Sequence, residues 1–275
     1  MRDRLYRVEA IILKRTDFGE ADRILTLVTP DRGKLRAIAK GARKPSSRKS
    51  GHIELFTHSM LLLAKGRHLD VVTQADTLEA FLPLREDLER LGYAYYLAEL
   101  VDKFSEEDSE NRPLYDLLLH ALRWLGDDAC DSALLARYFE LHLLQHVGYR
   151  PQLFQCVNCG TAIEPTDNFF SAEAGGVIDP NCMQTQREKI AGHARDAQPI
   201  PLNALKVLRF LQSREYETVR SLRLTPEAQA QVEGLMRDYI AHHLERNLKS
   251  VEFLRQLKQP FVVGMGESVA KAVAK

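Results

Sequence analysis

Short apolar runs separated by turn residues fill most of the first 80 positions, and within them apolar and polar residues tend to alternate. A period of two predicts β-strands. Five short strands in about 75 residues favour a small closed barrel, because closure removes the edges that an open sheet would expose. An OB-like barrel is our first choice, and an SH3-like barrel is the alternative. The predicted strands cover residues 8–15, 24–29, 34–40, 59–64 and 69–74.

After Pro83 the period of the apolar positions changes to about 3.6, which predicts amphipathic helices. Residues 151–199 lose this period and hold three of the four cysteines. Helices resume after this stretch, and the last long one has a clear start signal, with Thr225 as N-cap and Pro226 at the first helical position. The predicted helices cover residues 88–104, 114–125, 134–146, 201–214 and 226 to about 247.

The predicted fold class is therefore α+β. A small N-terminal, OB-like β-barrel is followed by an α-helical domain that carries a small zinc-ribbon-like insertion. The expected domains are residues 1–80 for the barrel and residues 81–258 for the helical domain, with the insertion at 151–199. Residues 259–275 are weakly patterned, and we expect them to form a partly disordered tail.

The charge of the chain is balanced overall but unevenly distributed. Lysine and arginine together number 38, as do aspartate and glutamate, and a net charge of zero argues against a polyanion binder. However, residues 1–50 carry 14 basic against 6 acidic side chains, whereas residues 85–110 carry 3 against 9. This split is typical of a basic module for nucleic acid joined to an acidic module for protein partners.

Most of the excess positive charge lies in residues 34–49, here called the basic segment, which contain no acid. Cations interleaved with small and hydroxylated residues suit the sugar-phosphate backbone of a nucleic acid, because each phosphate contact releases counterions. A solvated charged loop is the alternative. The candidate DNA-binding cations of this segment are Lys34, Arg36, Lys40, Arg43, Lys44, Arg48 and Lys49.

Aromatic stacking partners are less evident. Tyr6, Phe18 and Phe56 are the only aromatic residues among the first 80, and a lone aromatic residue in a small barrel more often belongs to the core. We therefore expect binding that depends on the phosphate backbone, tolerates any base sequence and weakens steeply with salt.

The stretch that contains the basic segment closely resembles the N-terminal signature of the bacterial RecO family of recombination mediators and DNA repair proteins. The order of the shared motifs agrees from about residue 6 to residue 257. These motifs are the Gly19–Asp22 turn, Thr29-Pro30, AKGAR at 39–43 with Ser46 and Ser47, DVVTQ at 70–74, FQCVNCG at 154–160, FSAEAGGV at 170–177 and LKS at 248–250.

The resemblance implies an OB barrel, a helical domain with a metal-binding insertion in many members, and no catalytic centre. It also implies binding of single- and double-stranded DNA and annealing of complementary strands. The expected partners are RecR and single-strand-binding protein (SSB), with loading of the RecA recombinase onto SSB-coated strands. Two other classes stay open, namely an OB-containing RNA-binding module and a metal-dependent enzyme built on the cysteine region.

Cys156 and Cys159 form half of a zinc site, since two thiolates two residues apart can face one ion. The place of the second pair holds Asp179 and Cys182, so an aspartate replaces the expected fourth cysteine. The predicted metal ligands are these three cysteines and Asp179, with His193 as another possible fourth ligand. A degenerate ribbon without metal is the competing interpretation, so zinc is a possible cofactor only.

Further motifs are few. The phosphate-binding, dinucleotide-binding and serine-esterase signatures are missing, so we expect neither an enzyme nor a nucleotide cofactor. Near the C-terminus, Arg246 and Lys249 are candidates for a second DNA contact, or the helix bearing them could receive the acidic tail of SSB. No apolar run reaches the roughly 18 residues of a membrane span and no signal peptide is evident, so we expect a cytoplasmic protein. The resemblance implies that it joins the nucleoid during repair.

Overall fold

A computed structural model describes residues 4–188, 196–244 and 248–258. Its first five strands form a closed barrel in the order β1-β2-β3-β5-β4. β3 and β5 pair in parallel, and the other neighbours are antiparallel. All five predicted strands are present, some of them longer than the sequence indicated. They are β1 (Leu5–Phe18), β2 (Asp22–Thr29), β3 (Gly33–Ala39), β4 (His58–Ala64) and β5 (Asp70–Glu79).

Alternate side chains of these strands fill the barrel. In β3, Leu35, Ala37 and Ala39 point inward and are buried, and Leu35 and Ala37 lie opposite Leu27 and Leu25 of β2 in the register of the pair. Because side chains of a strand alternate between its two faces, the residues between them point outward. The cations of β3 thus lie on the outside of the barrel.

The change from strands to helices falls between Glu79 and Pro83. The long helices begin where a polar side chain accepts hydrogen bonds from first-turn backbone N–H groups, as Asp87, Asn111 and Asp131 do. The helices are α1 (Pro83–Glu86), α2 (Leu88–Phe104), α3 (Arg112–Leu125), α4 (Ser132–His146), α5 (Pro180–Glu188), α6 (Leu202–Ser213), α7 (Tyr216–Val219), α8 (Pro226–Leu244) and α9 (Lys249–Lys258).

The cysteine region contains a three-stranded sheet in the order β7-β6-β8. It also contains α5, a helix that the loss of helical periodicity did not predict. Asp179 and Pro180 explain it, because an acidic N-cap followed by proline is a helix start signal, and the carboxylate of Asp179 accepts a hydrogen bond of 2.8 Å from the N–H of Cys182. The strands are β6 (Asn168–Ser171), β7 (Gly176–Ile178) and β8 (Gln198–Ile200).

The barrel and the helices share one hydrophobic core. Ile11, Val28 and Phe56 of the barrel half pack into the cluster formed by the helices, whereas a second cluster fills the barrel itself. The ring of Phe56 lies edge-on to that of Tyr95, with 4.9 Å between centroids. The two halves are therefore packed together rather than merely connected.

The turn before β3 touches the segment between α2 and α3. Gly33 has a positive φ of 60°, and a Cβ atom there would lie 1.8 Å from the carbonyl oxygen of Ser109. Next to it, the carbonyl of Lys34 accepts a hydrogen bond of 3.0 Å from the N–H of Asp108. Only glycine fits this approach, so the barrel is held directly against the helical half.

The last described helix, α9, docks on α2. A Cβ atom on Gly92 of α2 would lie 3.0 Å from Leu254 and 3.1 Å from Leu257. The carboxylate of Glu99 accepts hydrogen bonds from the N–H groups of Lys249 and Ser250 and from the Ser250 hydroxyl, at 3.1, 2.8 and 2.6 Å. An acid of α2 thus caps the N-terminus of α9.

Candidate nucleic-acid interface and candidate metal centre

The register of β1, β2 and β3 places two cations in one row across the outside of the barrel. Lys14 lies opposite Thr26, and Thr26 lies opposite Arg36. Opposed residues of antiparallel strands share a face, and both Lys14 and Arg36 are exposed. The next row, formed by Thr16, Ile24 and Ile38, faces the same way. We call these two rows the outer face.

The helices cover the other end of this surface. Val28, which belongs to the row beyond Thr26, is only 2% exposed. Opposite Val28, the ammonium of Lys34 donates to the carbonyl oxygen of Asp102 at 2.6 Å and lies 3.6 Å from its carboxylate. Only the end of the surface toward the β1–β2 turn is therefore open, and Lys34 faces the helical half.

The loop that follows β3 is anchored to the β1–β2 turn. The N–H of Gly41, whose φ is +66°, donates to the carboxylate of Asp22 at 2.8 Å. The N–H of Arg43 donates to the carbonyl of Ala21 at 2.9 Å. These bonds hold the loop beside the outer face, so its cations occupy a defined place.

The seven predicted cations divide into two groups. Lys34, Arg43 and Lys49 have partners: Arg43 lies 3.4 Å from the Asp17 carboxylate, and the Lys49 ammonium donates to the carbonyl of Val72 at 2.9 Å. Burial lowers the pKa of the Lys49 ammonium. The other four are exposed and form no ion pair within the described ranges. They are Arg36, Lys40, Lys44 and Arg48.

One cation of the candidate nucleic-acid interface was missed in the sequence, because only strand pairing reveals it. Lys14 joins the outer face through its position opposite Thr26. An alternating pattern gives the face of a residue within its strand but not the neighbour of that strand.

The four predicted metal ligands of the cysteine region come together. Single ligand atoms of Cys156, Cys159, Asp179 and Cys182 all lie within 4.8 Å of one another. The thiol of Cys159 lies 3.2 Å from a carboxylate oxygen of Asp179. Gly160, with a φ of +74°, donates its N–H to the carbonyl of Cys156 at 2.9 Å, which closes the tight turn expected between the first two ligands.

The electrostatics of this cluster differ from ligand to ligand. Burial raises the pKa of the Cys156 thiol, and burial followed by the hydrogen bond with Asp179 raises that of Cys182. The Thr161 hydroxyl, through its hydrogen bond, lowers the pKa of Cys159. Although burial raises the pKa of Asp179, hydrogen bonds involving Cys156 and Cys182 outweigh it and hold that pKa below its usual range.

The donor set fits a zinc ion. Tetrahedral zinc with sulfur at about 2.3 Å requires ligand atoms roughly 3.8 Å apart, and the four ligand atoms here all lie within 4.8 Å of one another, so a contraction of about 1 Å at most would bring them onto one ion. Asp179 has two oxygens for two tasks, since one caps α5 while the other faces Cys159. Cys130 stands apart from the cluster, with its sulfur 3.3 Å from the hydroxyl of Tyr216.

Comparison with known proteins identifies the family. Residues 1–81 match the family described as Recombination protein O N terminal, and residues 85–252 match Recombination protein O C terminal. A DNA repair protein RecO from Roseiflexus sp. (strain RS-1) is 47% identical over 275 residues, covering 100% of this chain and 94% of that relative. The chain belongs to the RecO family of DNA repair proteins.

Two further relatives carry the same description. A DNA repair protein RecO from Dehalococcoides mccartyi is 39% identical over 254 residues, or 92% of this chain and 96% of the relative. One from Pelotomaculum thermopropionicum is 39% identical over 259 residues, with 93% and 96% covered. The resemblance that the sequence motifs indicated is thus confirmed, and this RecO protein is a DNA repair protein.

Some motifs that suggested the RecO family have structural roles. Asp22 ends the Gly19–Asp22 turn and holds the N–H of Gly41. In the LKS motif, Leu248 and Ser250 are buried where α9 docks on α2, while Lys249 is exposed. The predicted DNA contact at Arg246, the alternative ligand His193 and the tail at 259–275 lie outside the described residues. No helix in the described part of the chain has the length and apolar character needed to cross a membrane.

Proposed function

We propose that this RecO protein is a recombination mediator that acts by binding, without catalytic turnover. It binds single- and double-stranded DNA, anneals complementary strands and, with RecR, helps to load RecA onto DNA coated by SSB. Residues 1–80 are the DNA-binding domain, and residues 81–258 form the helical domain that meets the protein partners. The work takes place in the cytoplasm, on the nucleoid.

One observation supports the DNA-binding proposal: exposed cations that form no ion pair with any other described residue cluster on the outer face and in the adjoining loop. Unpaired exposed cations can neutralise phosphates at little cost, because no internal ion pair must first be broken. The five-stranded closed order β1-β2-β3-β5-β4 supports an OB barrel, a fold whose second and third strands provide the nucleic-acid face.

The proposed contacts between the basic segment and DNA phosphates are tested by removing positive charge from that segment. In the triple variant K40A/K44A/R48A, the slope of log K against log salt for single-stranded DNA should become shallower by about 2, since each lost phosphate contact removes roughly 0.7. The measurement is fluorescence anisotropy between low and physiological salt. The melting temperature should not change, because all three side chains are exposed.

The matched control removes three exposed cations from the helical half, in the variant R112A/R223A/R237A. It changes net charge equally but should leave the slope within experimental error. Equal slopes for wild type and for the loop variant would show that the basic segment is only a solvated loop.

Annealing separates the mediator from the alternative functions. Complementary strands coated with SSB should anneal faster with the wild-type protein, and RecR should bind the protein–DNA complex. A preference for RNA of the same sequence, with no annealing of coated DNA, would favour the RNA-binding module, because such a protein recognises the 2′-hydroxyl.

We further propose that Cys156, Cys159, Cys182 and Asp179 hold a structural zinc ion. The zinc ion would cross-link the insertion. Because four protein ligands leave no open position for a substrate, this site argues against the metal-dependent enzyme. Protein purified without chelators should contain about one zinc per chain by elemental analysis. The C159S variant should lose the metal and C130S should keep it; a zinc-free wild-type protein would establish the degenerate ribbon.

A further inference from the structure

One aromatic side chain stands on the open end of the outer face. Phe18, the last residue of β1, is 53% exposed, although a phenyl ring of this size is normally buried. It lies opposite Asp22 and two residues beyond Thr16, so its side chain points to the same side as the outer face. The sequence-based expectation that this ring belongs to the core is wrong.

The other two aromatic residues of the barrel half, Phe56 and Tyr6, already have partners within the protein. Phe56 is 2% exposed and packs into the shared core. The hydroxyl of Tyr6 donates to the carboxylate of Asp70, and the guanidinium of Arg32 lies 4.3 Å from the centroid of its ring. Phe18 is thus the ring of this half whose face is open to a ligand.

The hairpin that carries Phe18 is tied to the basic segment. Asp22, its cross-strand neighbour, accepts the N–H of Gly41. The Arg43 guanidinium lies 3.4 Å from the carboxylate of Asp17, and it donates to the carbonyl of Gly19 at 3.4 Å. A ring and a set of phosphate-seeking cations are therefore held side by side, with Arg43 neutralising the acid next to the ring.

We propose that Phe18 is a stacking platform for an unpaired base of single-stranded DNA whose phosphates lie on the cations of the basic segment. The inference rests on the proposed DNA-binding function and deepens it. Every base has an apolar π-face, so one ring accepts any sequence. In a duplex those faces are covered by neighbouring base pairs. Phosphate contacts alone do not distinguish single from double strands, and Phe18 adds a preference for the single strand.

The experiment uses the full-length protein and three probes: oligo-dT of about 20 nucleotides, an abasic strand of the same length and a duplex. Replacing Phe18 with alanine should weaken binding of oligo-dT about 5-fold or more. Binding of the abasic strand and of the duplex should stay within about 2-fold, because neither presents a free base. The melting temperature should be unchanged, since the ring is exposed.

Three further variants separate the aromatic face from the size and apolar character of the side chain. Phe18→Trp should restore oligo-dT binding, and the emission of the new tryptophan should be quenched by it. Phe18→Leu keeps an apolar side chain on the hairpin but lacks a π-face, so it should resemble the alanine variant. Leu88→Ala removes an equally exposed apolar residue, 55% exposed, from the start of α2 and should bind like the wild type.

The outcomes distinguish a failure of the stacking role of Phe18 from a failure of the proposed DNA-binding function. Equal oligo-dT affinity for wild type and for Phe18→Ala, or an equal loss on the abasic strand, would overturn the stacking role while leaving salt-dependent DNA binding in place. A wild-type protein that binds none of the three probes would overturn the proposed function, and the stacking role with it.

Discussion

Lys34 belongs to the basic segment by position but to the domain junction by contact. Its side chain is only 15% exposed, and its ammonium donates to the carbonyl oxygen of Asp102 in α2. A partly buried charge with defined partners stabilises the folded state, because its removal leaves those partners without a hydrogen bond. A cation count along the chain therefore overestimates the number of phosphate contacts.

We predict that Lys34→Ala lowers the free energy of unfolding by about 1–2 kcal/mol, because a hydrogen bond to a charged donor is lost. Urea denaturation checks this, and the salt slope of DNA binding should be unchanged. Lys40→Ala is the matched comparison and should show the reverse, with stability preserved and a shallower slope. A shallower slope for Lys34→Ala would return this residue to the DNA-binding group.

At the scale of single residues, the sequence predicted which side chains belong to a candidate site better than it predicted the contacts that those side chains make. The clustering of Cys156, Cys159, Asp179 and Cys182 was predictable because the spacing of cysteines in a zinc site is set by the geometry of the ion. The helix-capping role of Asp179 was also evident in the sequence, as Asp179-Pro180, at a residue that is also a candidate metal ligand. Pairing of Arg43 with Asp17 depends on the folded hairpin, and nothing in the local sequence announces it.

The first turn of helix α9 is capped by a single acid of α2. Glu99 accepts three hydrogen bonds at the first turn of α9, where the helix dipole also favours a negative charge. We predict that Glu99→Ala weakens the docking of α9 by about 1–2 kcal/mol, the usual cost of losing a cap. Hydrogen exchange of the α9 amides should become correspondingly faster, while α3 and α4 keep their protection.

The control for the Glu99→Ala variant is Glu89→Ala, which removes an exposed acid from the first turn of α2. Its effect should stay within about 0.5 kcal/mol. Faster exchange throughout the helical half in Glu99→Ala would mean that α9 is not a separate docking unit but part of one cooperative bundle.

At the scale of elements, the limits of the long helices were predictable where the apolar positions end at a polar cap, even for α4, which is buried on nearly all sides. The three helices from α2 to α4 fall within two residues of their predicted limits, because apolar spacing and polar caps agree there. The short strands β6 to β8 escaped prediction, since three or four residues hold too few alternations to establish a period.

The molecule as a whole has a core that crosses from barrel to helices, and Phe56 lies at that crossing. We predict that Phe56→Ala costs about 3–5 kcal/mol, as for other large buried rings. The loss should appear equally in helix circular dichroism and in hydrogen exchange of the barrel strands. Phe18→Ala, at an exposed ring, is the matched control and should cost little.

A loss of protection in the barrel alone would show that the two halves unfold independently. The pattern of charge predicts two modules, and the structure has a closed β-barrel followed by a helical half. The extent to which their cores merge was not predictable, because Ile11 and Val28 have the pattern of ordinary strand residues until the helices are seen to cover them. Strand register and the docking of the helices on the barrel depend on tertiary contacts, which the alternation of apolar and polar residues does not encode.

Gly33 has a genetic consequence. With the Ser109 carbonyl 1.8 Å from the place of a methyl group, any side chain here forces the barrel away from the helices without altering a single exposed cation. Cells that carry alanine at this position should repair DNA when grown cool and fail when grown warm. A conditional allele of this kind would allow the requirement for the protein to be switched off at a chosen moment during repair.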